Sequence, residues 1–284
     1  MRIALPLAAT SLALLLAAPP ARAEVQDCME IASLPATIST QGVYCLKHDV
    51  STNIASGVAI DVVTNNVTID CNGYKIGGLA AGAATRAFGI DVDGRSNVVV
   101  RGCVVRGFYT GLRFNTGSGH VAEDNRFEAN TFMAIASFST AGDILRRNHV
   151  VDTGGNLPVA VYPAGVAIGI AAQATDGLLV DDNNVTNTFA TSGADTFAYG
   201  IAVYDGTGVI RDNAVQNVLS SPGRYGYGIL TSGTSVVRDN SLIGAGGTGY
   251  GVYAFSDSYC ADNHVIGFIT SSIHQCTDGG GNTP

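Results

Sequence analysis

The amino-acid sequence predicts an all-β solenoid, a parallel β-helix, from three observations. Two short markers recur in phase, the residues between them have the composition of strands and turns, and cysteines stand in pairs before and after the repeats. The first marker is a charged residue, then Asn, then any residue, then an aliphatic or Phe. It reads Asp124-Asn125-Arg126-Phe127, Arg147-Asn148-His149-Val150, Asp182-Asn183-Asn184-Val185, Asp212-Asn213-Ala214-Val215, Asp239-Asn240-Ser241-Leu242 and Asp262-Asn263-His264-Val265. The second is Gly or Ala before an aliphatic: Gly89-Ile90, Gly111-Leu112, Ala134-Ile135, Gly169-Ile170, Gly200-Ile201, Gly228-Ile229 and Gly251-Val252. From the second marker to the next Asn the gap is 14 (111 to 125), 14, 14, 13, 12 and 12 residues. From each Asn to the following second marker it is 9 (125 to 134), 21, 17, 15 and 11. One arc of the repeat is fixed and the other absorbs the insertions, as in a coil whose insertions all leave at one corner.

The first 23 residues read as a secretory signal, with Arg2 as the positive start, an apolar run from Ile3 to Ala18, and a small-x-small site at Ala21-Arg22-Ala23. The run is short for a membrane span and contains Pro6. The mature chain then begins at Glu24 as a single domain. Residues 24–58 form an N-terminal cap and first coil, 59–268 the coils, and 269–284 a C-terminal cap and flexible tail. No later stretch is apolar enough to span a bilayer. Removing Arg2 and Arg22 from 15 basic residues leaves 13 against 23 acidic ones, a net charge of −10. Such a chain repels phosphate backbones, which argues against a nucleic-acid partner. An anionic polysaccharide would also be repelled unless a cation bridged the two.

All six cysteines follow the signal, an even number suited to an oxidising compartment outside the cytoplasm, periplasmic or extracellular. Cys28 and Cys45 flank the segment before the repeats, and Cys260 and Cys276 the segment after them. Disulfides there would pin the ends, where no neighbouring coil supports the chain. Cys71 and Cys103 lie about one coil apart, where stacked backbones come within bridging distance. Position suggests these pairs among many connectivities. A zinc site is the competing reading, and no Cys-x-x-Cys or His-rich spacing supports it.

Short runs rich in Val and Ile alternate with Gly, Asn, Asp, Ser and Thr throughout, and helical periodicity is nearly absent. Leucine-rich repeats also carry a periodic Asn, but they need a Leu-x-x-Leu-x-Leu frame that this chain lacks. In a parallel β-helix, strands of successive coils stack at about 4.8 Å. The marker Asn would make the tight bend in a left-handed conformation, and its side chain would hydrogen-bond up and down the stack.

The segments Asn66-Val67-Thr68-Ile69-Asp70-Cys71-Asn72-Gly73 and Asn97-Val98-Val99-Val100-Arg101-Gly102-Cys103, with the Asn-marked repeats after them, resemble the right-handed parallel β-helices of the pectate-lyase-like superfamily. The resemblance runs from about Val43 to Phe268. It implies a right-handed solenoid. It also implies a setting among lyases, hydrolases and epimerases of polysaccharides, besides tailspikes and adhesins, and fold alone does not choose between them. The catalytic signatures of that superfamily are missing: there is no Arg-x-Pro-x-x-Arg, Trp-x-Asp-His, Arg-Ile-Lys or Asp-Pro-His. Asp181-Asp182 superficially resembles the paired Asp of polygalacturonases, but it precedes a ladder Asn and reads as turn chemistry.

After each second marker the aliphatic points inward and the next residue outward. The outward column reads Asp61, Asp91, Arg113, Ala136, Ala171, Ala202, Leu230, Tyr253, and two residues on it reads Asp93, Asn115, Phe138, Gln173, Tyr204, Ser232, Phe255. Insertions near Asp152–Gly165, Thr188–Ala198 and Val218–Gly226 leave just before this strand and would wall one side of the face, where a long ligand could lie. Asp61, Asp91 and Asp93 are the candidate metal ligands. Stacked like charges need neutralising, and Ca²⁺ accepts several carboxylates in flexible geometry. Related lyases remove a proton beside a uronate carboxylate with Arg or Lys, and lysines are only Lys47 and Lys75, so Arg113 is the candidate base. The plainer reading pairs Arg113 with Asp91. Asn115, Phe138, Tyr204 and Tyr253 are candidate sugar contacts.

Other periodic residues read as structural. Arg101, Glu123, Arg146, Asp181, Arg211 and Arg238 form a second outward column whose first four members alternate in sign. Tyr199, Tyr227 and Tyr250 each precede a marker Gly and would stack, while Tyr162 and Tyr225 fall in the insertions. His48, His120, His149, His264 and His274 read as solvated or turn residues. Two classes of function follow. One is an extracellular enzyme acting on polysaccharide, a Ca²⁺-assisted lyase or epimerase. The other is a glycan-binding or scaffolding module with no cofactor.

Overall fold

The computed structural model describes residues 27–156, 165–191, 196–255 and 257–284. The signal segment, Glu24 and Tyr162 lie outside them. Three parallel sheets of eleven, ten and nine strands wall a solenoid, and in each sheet the neighbouring strands come from successive coils. One coil illustrates the path. Thr110–Ser118 lies in the ten-stranded sheet, Val121–Glu123 in the eleven-stranded sheet, Arg126–Glu128 in the nine-stranded sheet, and Met133–Ala141 then stacks on Thr110–Ser118. Strand alternation fills the interior: in Val98–Arg101, Val98 and Val100 are buried and Val99 and Arg101 look outward. The aliphatics of the second marker form one interior stack, with Ile60, Ile90, Leu112, Ile135, Ile170, Ile201, Ile229 and Val252 fully buried in register.

The glycine of the second marker has a steric cause. Strand pairing joins Phe88 to Thr110 and Ile90 to Leu112, passing over Gly89 and Gly111. A Cβ on Gly89 would fall 2.4 Å from the Gly111 carbonyl oxygen, and one on Gly200 2.6 Å from that of Gly228. The backbone bulges at this point, and the residue before the glycine turns outward together with the residue two after it.

The ladder forms, but the left-handed residue is not the Asn. The charged residue before it takes positive φ: 55° at Asp124, 50° at Arg147, 52° at Asp182, 57° at Asp212, 57° at Asp239 and 54° at Asp262. This corrects the expectation and explains the Asp that opens five of the six markers, since Asp tolerates that region well. The Asn that follows is left free to act as a buried connector. Asn125 Nδ2 donates to Asn148 Oδ1 at 3.0 Å, and the chain continues through Asn183, Asn213, Asn240 and Asn263. Each Asn also donates to a backbone carbonyl, as Asn125 does to Val100 at 2.9 Å. The buried amides are therefore satisfied on both sides.

Both ends of the ladder are tied. Cys103 stands where Asn125 stands one coil later, and its backbone N–H donates to Asn125 Oδ1 at 3.0 Å. Cys103 is bridged to Cys71, Cys28 to Cys45 and Cys260 to Cys276, the three expected pairs. At the other end, what was expected to be a flexible tail continues the solenoid. Ser271–His274 and Thr277–Asp278 join the sheets, and Asn282 Oδ1 accepts from Asn263 Nδ2 at 3.0 Å as a seventh member of the ladder. Among the described residues no helix is long and apolar enough to cross a membrane.

Candidate functional site

The outer face of the ten-stranded sheet carries every candidate site residue. Strand pairing sets Asp61, Asp91, Arg113, Ala136, Ala171, Ala202, Leu230 and Tyr253 in one column. Asp93, Asn115, Phe138, Gln173, Tyr204 and Ser232 form the second. The marker bulge adds a third: Val58, Phe88, Thr110, Met133, Ile168, Tyr199, Tyr227 and Tyr250. Along the helix axis the face changes from charged to apolar to aromatic.

At the N-terminal end, Arg113 Nε donates to Asp91 Oδ1 at 2.7 Å and Nη2 donates to Oδ2 at 2.8 Å, a bidentate pair. The guanidinium lies 4.2 Å from the centre of the Phe88 ring, so it is sandwiched between a carboxylate column and an aromatic face. Asp91 is only 5 % exposed beneath it. The hydrogen bonds that Arg113 donates to Asp91 hold its proton more tightly than usual, which opposes service as a general base. Asn115 Nδ2 donates to Asp93 Oδ1 at 2.7 Å, and the Thr116 hydroxyl to the same oxygen at 3.3 Å. Burial, and then the Asp91 charge, push the Asp61 carboxyl above the usual carboxylate range. As arranged, these donors do not fit a calcium ion. Both Asp91 oxygens face one guanidinium, Asp93 serves Asn115, and among the described residues no three His, Cys, Asp or Glu side chains converge on a metal-sized site. Within this carboxylate stack Arg113 is the counter-ion of Asp91.

The middle of the face is covered. Ala136, Ala171 and Ala202 pack with Phe132, Met133, Val166 and Ile168 in an apolar cluster outside the solenoid, and Phe138 joins its edge. Small residues in the column leave room for these larger side chains, and of the insertions expected to wall this face, residues 157–164 and 192–195 lie outside the described residues. The bases of the insertions are tied together. Asn156 Oδ1 accepts from the Gly165 N–H at 2.9 Å, Thr191 Oγ1 donates to the Asn156 carbonyl at 2.8 Å, and Ser221 Oγ accepts from the Thr196 N–H at 2.9 Å.

The C-terminal end is aromatic. Tyr199 and Tyr227 stack with centroids 5.1 Å apart at 12°, and Tyr227 and Tyr250 at 5.6 Å and 13°. Tyr253 stands edge-on to Tyr250 at 4.7 Å and packs against Phe255 at 4.6 Å, and His274 extends the run. Phe255 is 57 % exposed. Where the aromatic run meets the apolar cluster there is a cleft of about 350 Å³ lined by Val166, Ile168, Gln173, Phe197, Tyr199, Tyr204 and Asp205. The sequence places Tyr204 and Tyr253 on this face and favours a stacked structural column for Tyr199, Tyr227 and Tyr250, and that stack forms on the same face. Their regular position before the marker Gly was the available signal, and the bulge that turns them outward was not visible in it. Phe88, beneath the Arg113 pair, was missed for the same reason.

In the charge column Glu123 pairs with Arg146 at 2.6 Å as expected, while Arg101 turns to Asp70 at 2.8 Å and Asp181 to Arg211 at 3.1 Å. Such pairs contribute about 0.2–1 kcal/mol each. His120 lies in the connection between Thr110–Ser118 and Val121–Glu123, and it is not solvated. It is 0 % exposed, stacks on Phe114 at 4.5 Å and 9°, and neither ring nitrogen has a hydrogen-bond partner. Burial lowers its proton affinity, while Asp143 and the nearby backbone of Arg95 and Thr116 act the other way.

Comparison with known proteins supports the fold. No curated relative matches the chain. The Dettilon tailspike protein is similar in structure, with a TM-score of 0.54 at 14 % identity over 90 % of this chain, which spans 56 % of the tailspike chain. The periplasmic alginate epimerase AlgG gives a TM-score of 0.49 at 11 % identity, covering 87 % of this chain and 75 % of its own. The A-module of the mannuronan C-5 epimerase AlgE6 of Azotobacter vinelandii gives 0.45 at 12 %, covering 89 % and 90 %. At these identities the likeness is one of fold. The family model for the right-handed β-helix region matches residues 38–269, and the chain belongs to that family.

Proposed function

We propose that the protein is a glycan-binding module that works outside the cytoplasm and holds an extended polysaccharide along the outer face of its ten-stranded sheet. The observation that carries this reading is the run of Tyr199, Tyr227, Tyr250 and Tyr253, with one or two rings presented per coil along the helix axis. Flat apolar ring faces pack against the flat faces of sugars, and a repeat along the axis suits a repeating ligand. Polysaccharide-acting relatives of the same fold and three disulfides suited to an oxidising compartment are consistent with it. The test is affinity electrophoresis through gels containing soluble polysaccharides. Retardation by at least one of them, relieved in the Tyr250→Ala, Tyr253→Ala double variant, is the expected result. Equal mobility in every gel would sink the reading.

A catalytic reading has one specific observation in its favour, the Asp61 carboxyl raised by burial beside Asp91. A carboxyl so placed suits proton donation. A lyase or an epimerase would still need a base, and Arg113 is committed to Asp91. Incubation with uronate polymers, followed at the absorbance of unsaturated products and by NMR for epimerisation, separates the two readings. Product lost in Asp61→Asn would favour the enzyme.

A further inference from the structure

We propose that the cleft between Tyr199 and Tyr204 is a subsite for an uncharged sugar ring and that Asp205 turns away uronates. The inference rests on the glycan-binding reading and adds the class of ligand. Tyr199 and Tyr204 meet nearly at right angles, with centroids 6.3 Å apart at 78°, so their rings form two walls of a corner. Val166 and Ile168 close the cleft with aliphatic surface. A pyranose seated there would place an apolar face on one ring and its rim toward the polar groups of the lining, which are the Gln173 carboxamide and the Asp205 carboxylate. Both suit hydroxyl groups, the carboxamide as donor and acceptor and the carboxylate as acceptor. No cation lines the cleft among its described residues. The guanidinium of Arg224 stacks on the Phe197 ring, 5.3 Å from its centre. A ligand carboxylate in the cleft would therefore approach Asp205 without a partner, on a chain of strongly negative net charge, and like charges at a contact are rejected.

The backbone makes a clean test available. Asp205 has φ of 49°, in the left-handed region that Asn occupies as readily as Asp. Asp205→Asn thus removes the charge without straining the turn. The experiment is calorimetric titration of the full mature chain with neutral gluco-, manno-, galacto- and xylo-oligosaccharides and with oligouronates of the same length. Wild type is expected to bind a neutral oligosaccharide and to bind oligouronates at least about tenfold more weakly. Tyr204→Ala should weaken neutral binding by about tenfold. Asp205→Asn should narrow the gap between neutral sugars and oligouronates. Oligouronates binding the wild type as well as neutral sugars do would overturn the inference while leaving the glycan-binding reading standing. Neutral binding unaffected by Tyr204→Ala would overturn the placement in this cleft. Failure of every sugar, with the tyrosine strip also silent in polysaccharide gels, would overturn both.

Discussion

The two ends of one sheet face share a backbone plan and differ in how their side chains are satisfied. At the N-terminal end Asp91, Arg113, Asp93 and Asn115 consume one another's hydrogen bonds across adjacent strands. At the C-terminal end Tyr227, Tyr250, Tyr253 and Phe255 touch one another only through ring faces and edges. A hydrogen-bonded ion pair is directional and saturable, so Asp91 and Arg113 have spent their capacity for a partner. Ring faces are not saturable in that sense, and the second end keeps surface to offer. On the proposed reading, the hydrogen-bonded carboxylate end is the structural one and the tyrosine end is the binding surface.

The largest expected effect tests the first half of that contrast. Arg113→Ala leaves the Asp91 carboxylate nearly buried and unpaired, which should cost on the order of 3 kcal/mol and lower Tm by several degrees. The double change Asp91→Leu, Arg113→Met should recover most of that loss, because the charge that needed a partner is gone. Thermal melts of both variants check this, and a Tm for Arg113→Ala equal to wild type would mean the pair is not a stabilising unit. Neither change should alter retardation in polysaccharide gels.

The second half is tested at the aromatic end. Tyr250→Ala with Tyr253→Ala should weaken glycan binding by about tenfold or more while leaving the N-terminal pair intact. A smaller effect sets the buried interior apart from both ends. His120 has a lowered pKa in the folded state, so the unfolded chain binds its proton first as pH falls. Stability from this group is fully present above the unfolded value of about 6.5 and declines below it. His149 is lowered in the same direction, by burial and then by Arg126. Tm should therefore fall between pH 7.5 and 5.5. His120→Phe, which keeps the stack on Phe114, should flatten but not abolish the slope, and an unchanged slope would assign the pH dependence elsewhere. The smallest expected effect is that of calcium. Millimolar Ca²⁺ should leave the wild-type Tm unchanged, because Arg113 already neutralises Asp91. A rise abolished by Asp61→Ala with Asp91→Ala would restore the metal reading and reverse the contrast between the two ends.

Much of the architecture was legible in the sequence because a solenoid repeats one local rule. The fixed arc from Gly111 to Asn125 and its counterparts set the register, and period-two alternation then fixed which residue after each marker faces out. That was enough to align Asp61, Asp91 and Arg113, and the positions of the cysteines about the repeats suggested the three pairs that form. What failed were features that depart from the local rule. The left-handed turn belongs to Asp124 and its equivalents, because the Asn beside each is drawn inward to bond the coils on both sides. The bulge at each marker Gly breaks alternation, and through it Phe88, Tyr199, Tyr227 and Tyr250 reach the outer face.

The sequence by itself determined the coil length, the interior stack, the ladder and the disulfide ends, because each depends on neighbours within one repeat or one repeat away. Tertiary structure decided the rest. It paired Arg113 with Asp91, since only packed strands bring a guanidinium within 2.7 Å of Asp91 and over Phe88. It buried His120 and drew Asn282 into the ladder. It also formed the cleft at Tyr204 from loop residues such as Phe197 and Val166, whose distance from the sheet no periodicity encodes.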